Sequence, residues 1–404
     1  MTKQSPVLDT NPVLSEITGE TSFAYLVRAR ELVQKGVKVV SFGIGQPDFP
    51  TPEHIREAAK EALSKGFTGY TETKGILELR EAIAEHLGQR YGVDIDPEEI
   101  LVTTGAKTAL FIVIATYIRE GDEAIIIEPS YYSYSQSVKF LGGKNIFVPL
   151  AWHGADKGFK LDVEKIEEAL SPKTRLVVLN NPHNPTGAVF SRSEIEALLD
   201  IVKKKKILLV ADEVYDYFVY DGGFYSALQD SEWKDYVVYV NSFSKTFSMT
   251  GWRLGYVVAR RDAIDKMTTL AVTLYSCATS FAQKAGVTAL RGNWTPVKKM
   301  IEVFKKRRDL LYDLLSKIPG IEAWRPKGAF YMFPSIKQLL GRSGIKTSSD
   351  FVDYLIDNYG VITLPGTSFP DKAGEGFIRL SYATSEEAII EGVKRIREAV
   401  ERIL

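Results

Sequence analysis

Between residues 100 and 260 the chain alternates short, continuously apolar runs with longer stretches of helical periodicity. The runs are EILVTT (99–104), EAIIIEP (123–129), RLVVLNN (175–181), ILLVADE (207–213), YVVYVNS (236–242) and GYVVAR (255–260). Most are rich in β-branched residues and bounded by turn residues, which suits strands buried on both faces. Ser191 and Glu194 have capping-box spacing ahead of Ile195, Leu198, Leu199 and Val202, which predicts an amphipathic helix between two of the runs. This alternation predicts an α/β domain with a mostly parallel sheet. Ligands in such sheets bind beyond the carboxyl ends of the strands.

The flanks read differently. Tyr25, Leu26, Ala29, Leu32 and Val33 recur at helical spacing until Gly36, and a short strand with a glycine-rich turn follows. Thr51 before Pro52 predicts an N-cap for a helix burying Ile55, Ala58, Ala59, Ala62 and Leu63 and ending at Gly66. The run ALFIVIATYI (109–118) is half of the roughly 20 residues a membrane span needs, so it predicts a buried helix. Beyond residue 290 the pattern is long-helical, and the basic run KKRRD (305–309) is expected on a solvated face. AFYMFP (329–334), GVITLP (360–365) and FIRLSYA (377–383) predict short strands in a smaller α+β unit.

Composition acts mainly by exclusion. The 404 residues carry 51 Lys+Arg against 51 Asp+Glu, which removes the basic footprint of general nucleic-acid binding. Cys277 is the single cysteine, so no internal disulfide is expected. His54, His86, His153 and His183 are scattered, without metal-ligand spacing. The amino terminus, MTKQSPVLDTNPV, has no apolar stretch to serve as a signal segment. A cytoplasmic protein with no metal, nucleic-acid partner or membrane anchor is expected.

Polar residues gather at the ends of the apolar runs. Asp212 and Tyr215 follow one run, Ser242 and Lys245 the next, and Asn184 a third ahead of a Pro-Thr-Gly turn. Gly105, Ala106 and Lys107 close a fourth and open a helix. Taken singly, each stays open to two readings. Lys245 suits a surface lysine, or an amine nucleophile of lowered pKa in a small apolar setting with Arg253 eight residues on. Asp212 suits a helix cap, or a buried anion holding a proton on a ring nitrogen. The Gly105–Lys107 turn suits a plain connection, or a set of backbone N–H groups for a phosphate. It lacks the P-loop Lys-Ser/Thr, and GIGQPD (43–48) lacks the third glycine of a dinucleotide fingerprint.

The segments GQPDF (45–49), GYTETKG (69–75), GAKTAL (105–110), PSYYSY (129–134), NPHNPTG (181–187), DEVY (212–215), SFSKTFSMTGWRLGY (242–256), GAFY (328–331) and IRLSYAT (378–384) occur in one order along nearly the whole chain. Together they resemble the class I/II pyridoxal-phosphate aminotransferases of the aspartate aminotransferase superfamily (fold type I). The resemblance implies a large domain with a mostly parallel seven-stranded sheet flanked by helices, plus a small α+β domain built from both chain ends. Residues 1–47 would form the N-terminal arm and first part of the small domain, 48–292 the cofactor domain, and 293–404 the rest of the small domain.

The resemblance also implies roles. Lys245 matches the Schiff-base lysine that moves the substrate α-proton, Asp212 the partner of the pyridine nitrogen, and Tyr215 the phenol near the ring oxygen. Tyr131 matches the stacking aromatic, and Asn184 the amide for ring oxygen and substrate carboxylate. Gly105, Ala106 and Lys107, with Ser242 and Arg253, match the phosphate cup. Arg379 matches the α-carboxylate arginine, a bidentate task that lysine does poorly. Gly45 matches the backbone donor to that carboxylate. Tyr70 matches a tyrosine reaching the phosphate of a neighbouring subunit, which implies a homodimer with shared active sites. The implied reaction is ping-pong transfer from an L-amino acid to a 2-oxoacid such as 2-oxoglutarate. Lys107 favours aspartate or glutamate as donor, against an aromatic or broad-specificity aminotransferase, or a carbon–sulfur lyase on the same scaffold. Gln46 and His183 depart from the usual motif and are expected at the mouth of the site.

Overall fold

The computed structural model describes residues 10–17, 19, 21–369 and 372–404, without the side chains of 21–23 and 26. Residues 1–9 and the Leu26 side chain, both used in the sequence reading, lie outside the described residues. In chain order the elements that position the site begin with α1 (Thr21–Gln34), β1 (Val40–Ser41) and α2 (Glu53–Ser64). There follow β2 (Ile100–Thr103), α3 (Ala106–Tyr117), β3 (Glu123–Glu128), β4 (Lys144–Pro149), β5 (Thr174–Asn180) and α4 (Arg192–Lys205). Next come β6 (Leu208–Asp212), β7 (Val237–Ser242), β8 (Gly255–Val258), α5 (Arg261–Tyr275) and α6 (Thr295–Leu315). The chain ends with β9 (Tyr331–Met332), β10 (Val361–Ile362), β11 (Leu364–Pro365), β12 (Ile378–Ser381) and α7 (Glu386–Ile403).

Seven strands form one sheet in the order β2-β8-β7-β6-β5-β3-β4. Only β8 runs antiparallel to its neighbours. All six predicted strands are in it. Their continuous apolar runs are explained by burial on both faces: Ile125, Val177, Leu209 and Tyr239 face one core, while Ile126, Val178, Val210 and Val240 face another. The seventh strand, β4, lies at an edge and is half-exposed, so its sequence KNIFVP carries no such run. The capping box of α4 is present, with the Ser191 hydroxyl accepting from Glu194 N and Glu194 accepting from Ser191 N.

A third core unites the two chain ends. Ala29, Val40 and Phe42 pack with Phe304, Leu311, Phe351, Leu355, Ile378 and Ile396. β1 pairs in parallel with β10 (Val40 opposite Val361), and β12 sits between β9 and β11 in a small antiparallel sheet. Val214, Tyr215 and Phe218, just after β6, also enter this core. The chain segment carrying the DEVY motif therefore bridges both packing units.

Three local expectations are corrected. The Thr51 hydroxyl does not cap α2; it donates to Ser248 O at 2.7 Å and accepts from Trp252 Nε1 at 3.0 Å, tying α2 to the loop beyond Lys245. Leu63 is exposed, while Ile55, Ala59 and Ala62 are buried. The basic run on α6 is solvated only at Lys305 and Lys306. Arg308 is fully buried, ion-paired with Asp221 and Asp309, donating to Pro326 O at 3.1 Å and lying over the Tyr220 ring. Arg307 pairs with Asp48 at 2.7 Å. Arginine tolerates such burial because several planar donors are satisfied together.

Candidate active site

Strand register brings the motif residues together. Asn180 at the end of β5 stands opposite Asp212 at the end of β6. Gly255 of β8 stands opposite both Thr103 and Ser242, which sets the start of α3 beside the end of β7. The carboxyl edge of the sheet thus forms the floor of a cleft of about 650 Å³.

At one end of the floor Asp212 is buried. Its Oδ2 accepts from the Tyr134 hydroxyl at 2.6 Å and its Oδ1 from Val214 N at 3.3 Å. Burial pushes its pKa up to about 6, although these two donors and the Lys245 ammonium pull the other way. The site therefore presents a carboxylate whose ionisation is costly until a cation meets it. Asn180 accepts from Asn184 N at 2.7 Å and donates to Asp212 O at 2.9 Å, locking the NPHNPTG turn to the strand ends.

Across the cleft, Arg379 on β12 is buried. It donates to Asn184 Oδ1 at 3.1 Å and to Gly43 O at 2.6 Å, and lies over the rings of Tyr331 and Phe369. Lys245 Nζ donates to Gly45 O at 2.6 Å and lies 5.7 Å from the centre of the Tyr215 ring. The Tyr215 and Tyr331 hydroxyls are 2.7 Å apart.

At the other end, Gly105 has φ of 93°, and a Cβ there would stand 2.4 Å from Arg253 Nη2. Glycine is thus required both by conformation and by the close guanidinium. Arg253 donates to Thr250 O at 2.9 Å and Thr104 O at 3.2 Å. The Ser242 hydroxyl reaches Ser244 Oγ at 2.8 Å and Leu254 O at 3.0 Å. The first-turn N–H groups of the twelve-residue α3 complete an anion-attracting corner. Lys107 Nζ donates to the Tyr132 hydroxyl at 2.8 Å and lies 5.6 Å from the Tyr131 ring.

Of the residues named from sequence, Gly45, Ala106, Lys107, Tyr131, Asn184, Asp212, Tyr215, Ser242, Lys245, Arg253 and Arg379 line this one cleft. Gly105 lies directly behind Arg253. Tyr70 does not join them: it is 91% exposed and outside the cleft of its own chain. Gln46 lines the cleft, where its amide oxygen accepts from the Thr250 hydroxyl at 3.2 Å. His183, the other departure from the usual motif, is in the interior. It is buried with Nδ1 2.8 Å from Thr186 Oγ1, and burial lowers its pKa to about 3, so a neutral ring braces the turn. Tyr134, Asn180, Tyr331, Ser244 and Arg30 also line the cleft and were not singled out from sequence. Tyr134 and Tyr331 ended the motifs PSYYSY and GAFY, which was the available signal. Arg30 had none, because helical spacing alone does not say which polar face meets a cleft.

The chain belongs to the class I and II aminotransferases, whose family model matches residues 37–396. It is an enzyme that transfers amino groups and uses pyridoxal 5'-phosphate. It is 49% identical over 400 residues to an aspartate aminotransferase of Sulfurisphaera tokodaii, with 99% of each chain covered. It is 50% identical to an aspartate aminotransferase of Sulfolobus acidocaldarius, with 96% of each covered. Among solved structures, the aspartate aminotransferase from Rhizobium meliloti superposes with a TM-score of 0.93 at 36% identity, covering 98% of this chain and 100% of that one.

The residues present fit the cofactor. A buried carboxylate suits a protonated ring nitrogen, because a cation offsets the burial that otherwise raises its pKa. The corner of α3, Ser242 and Arg253 supplies cationic and N–H donors for a phosphate, and Tyr131 supplies an aromatic wall. Among the described residues no group of three His, Cys, Asp or Glu is placed to hold a metal ion, and no helix is long and apolar enough to cross a membrane.

Proposed function

We propose that the enzyme moves the amino group of aspartate or glutamate to a 2-oxoacid, with 2-oxoglutarate as acceptor, by a ping-pong mechanism. The observation that carries this is the convergence of Lys245, Asp212 and buried Arg379 on one cleft. Pyridoxal phosphate supplies an aldehyde that condenses with amines and a ring that accepts the electron pair of a substrate α-carbon.

The chain's own residues do the rest. Lys245 would hold the cofactor through its amine and, with that amine free, would be the base that takes and returns the substrate α-proton. Asp212 would keep the ring nitrogen protonated, and the Tyr134 hydroxyl holds its carboxylate in place. Arg379 would grip the α-carboxylate, with Asn184 and Gly45 beside it in the cleft, and the Tyr215 hydroxyl would serve the ring oxygen. Gly105, Ala106, Lys107, Ser242 and Arg253 would hold the phosphate, and Tyr131 would offer its ring as a stacking wall.

Lys107 is the group proposed to select an acidic side chain, supported by its place in the cleft. A panel of donors (Asp, Glu, Ala, Phe, Tyr, Leu, Lys, Cys), with 2-oxoglutarate as acceptor, tests the substrate class. Asp and Glu are expected to give the highest kcat/KM. Lys107→Ala is expected to lower kcat/KM for Asp relative to Phe by about 10- to 100-fold, the worth of one polar pocket contact. An unchanged ratio removes Lys107 from the argument and favours an aromatic or broad specificity. Pyruvate and ammonia released without an acceptor would assign a lyase instead.

The enzyme is further proposed to be a cytoplasmic homodimer with domain limits near residues 47 and 292, Tyr70 completing the phosphate site of the partner subunit. The support is that Tyr70 is exposed next to Thr71, whose N–H meets Cys277 Sγ near half-exposed Val272 and Leu274. Sedimentation should report a dimer. Mixed dimers of Tyr70→Phe and Lys245→Ala chains should regain activity that the Lys245→Ala dimer lacks, because one of the two sites then carries neither change. Hybrids no more active than the sum of the parents would exclude shared sites.

A further inference from the structure

We propose that Tyr331 is a positioning residue whose hydroxyl donates to Tyr215 and so aims the Tyr215 hydrogen into the cleft. The proposal rests on the reading that Tyr215 faces the ring oxygen of the cofactor.

The two hydroxyls are 2.7 Å apart and both residues are buried, so one hydrogen lies between them and its direction decides what Tyr215 offers the cleft. If Tyr215 donates to Tyr331, it presents only an oxygen. If Tyr331 donates, Tyr215 presents a hydrogen. A hydrogen bond to an anionic acceptor is roughly twice as strong as a neutral one. An anionic ring oxygen in the cleft therefore claims the Tyr215 hydrogen and leaves the Tyr215 oxygen to accept from Tyr331. A hydroxyl that accepts is also the better donor, since hydrogen bonds in a chain polarise one another.

The surroundings hold this pair in register. Tyr331 is on β9, opposite Ser381 of β12, which is two residues along that strand from Arg379. Its ring lies beneath the Arg379 guanidinium, 4.5 Å from centroid to Cζ. Its hydroxyl occupies space that a side chain at residue 45 would take: a Cβ on Gly45 would stand 2.2 Å from Tyr331 Oη. Gly45, matched through the resemblance to the backbone donor for the substrate carboxylate, thus also leaves room for the Tyr331 hydroxyl by lacking a side chain. Tyr215 is held edge-on against Tyr331 and Phe330, at 5.6 Å and 5.3 Å between ring centres. The titratable groups facing Tyr215 are Tyr331, Arg379, Asp212 and Lys245.

The test uses the holoenzyme, free of substrate, with Tyr331→Phe and Tyr215→Phe compared with the parent. The readout is the pH midpoint of the visible absorbance change of the bound cofactor. A donor to the ring oxygen favours its anionic form, so weakening that donor raises the midpoint. Tyr215→Phe should raise it most, and Tyr331→Phe by a smaller amount of about half a pH unit or more. Because phenylalanine keeps the ring beneath Arg379, KM for the amino acid should stay within about twofold while kcat falls. An unchanged midpoint in Tyr331→Phe, with the shift present in Tyr215→Phe, overturns the proposal. A raised KM with an unchanged midpoint also overturns it, assigning Tyr331 to Arg379 alone. No shift in either variant rejects Tyr215 as partner of the ring oxygen, and the present proposal falls with it.

Discussion

Lys245→Ala is expected to lower kcat for transamination by at least about 10⁴-fold, because it removes the amine nucleophile and the acid–base group in one step. The fold should survive, since Lys245 lines the cleft, donating to Gly45 O and flanking two aromatic rings, and is not part of the apolar core. The check is stopped-flow absorbance of the loaded variant mixed with aspartate, together with product analysis. Added small primary amines should restore part of the rate, which separates the missing base from any distortion of the cleft. Turnover within about tenfold of the parent would sink the mechanism.

Asp212→Asn is expected to act in opposite directions on activity and stability. Activity should fall by about 10³-fold or more, roughly 4 kcal/mol of transition-state stabilisation, because a neutral amide no longer holds the ring nitrogen protonated. Stability of the cofactor-free protein should rise at neutral pH. Burial lifts the folded-state pKa of Asp212 to about 6, above the value of about 3.9 for an unfolded chain. Between these values the folded protein binds more protons than the unfolded one, so stability falls as pH rises from about 4 to 6 and stays lower above. Asparagine removes that loss, worth on the order of 2–3 kcal/mol at pH 7.5, and its advantage should vanish near pH 4. Thermal melts of the two cofactor-free proteins across this range measure it. A gain independent of pH would show that the carboxylate is not the cause. With cofactor bound the ranking should reverse, since the cation then offsets the buried charge.

That opposition explains why the site reads so clearly in the sequence. A buried acid at the end of ILLVADE is unfavourable for folding alone, and the residues that make it useful lie at the ends of neighbouring apolar runs. Periodicity and turn chemistry are local, so the six two-face-buried strands, the α4 capping box and the buried helix at 109–118 were legible from them. Edge strand β4 was not, because exposure on one side removes the continuous apolar run.

By itself the sequence determined the class of fold, the family and eleven of the side chains or backbone positions that line the cleft, because each lies at a strand end or turn with a fixed local pattern. Tertiary structure decided the partners. The Tyr134–Asp212 and Tyr215–Tyr331 contacts join residues 78 and 116 positions apart, and no local spacing encodes such pairs. It also decided that Arg308 is buried, that Thr51 ties two segments instead of capping a helix, and that Tyr70 lies outside its own cleft. Local patterns fix which backbone a segment adopts; the packing of distant segments fixes what each polar side chain meets, and so what it can do.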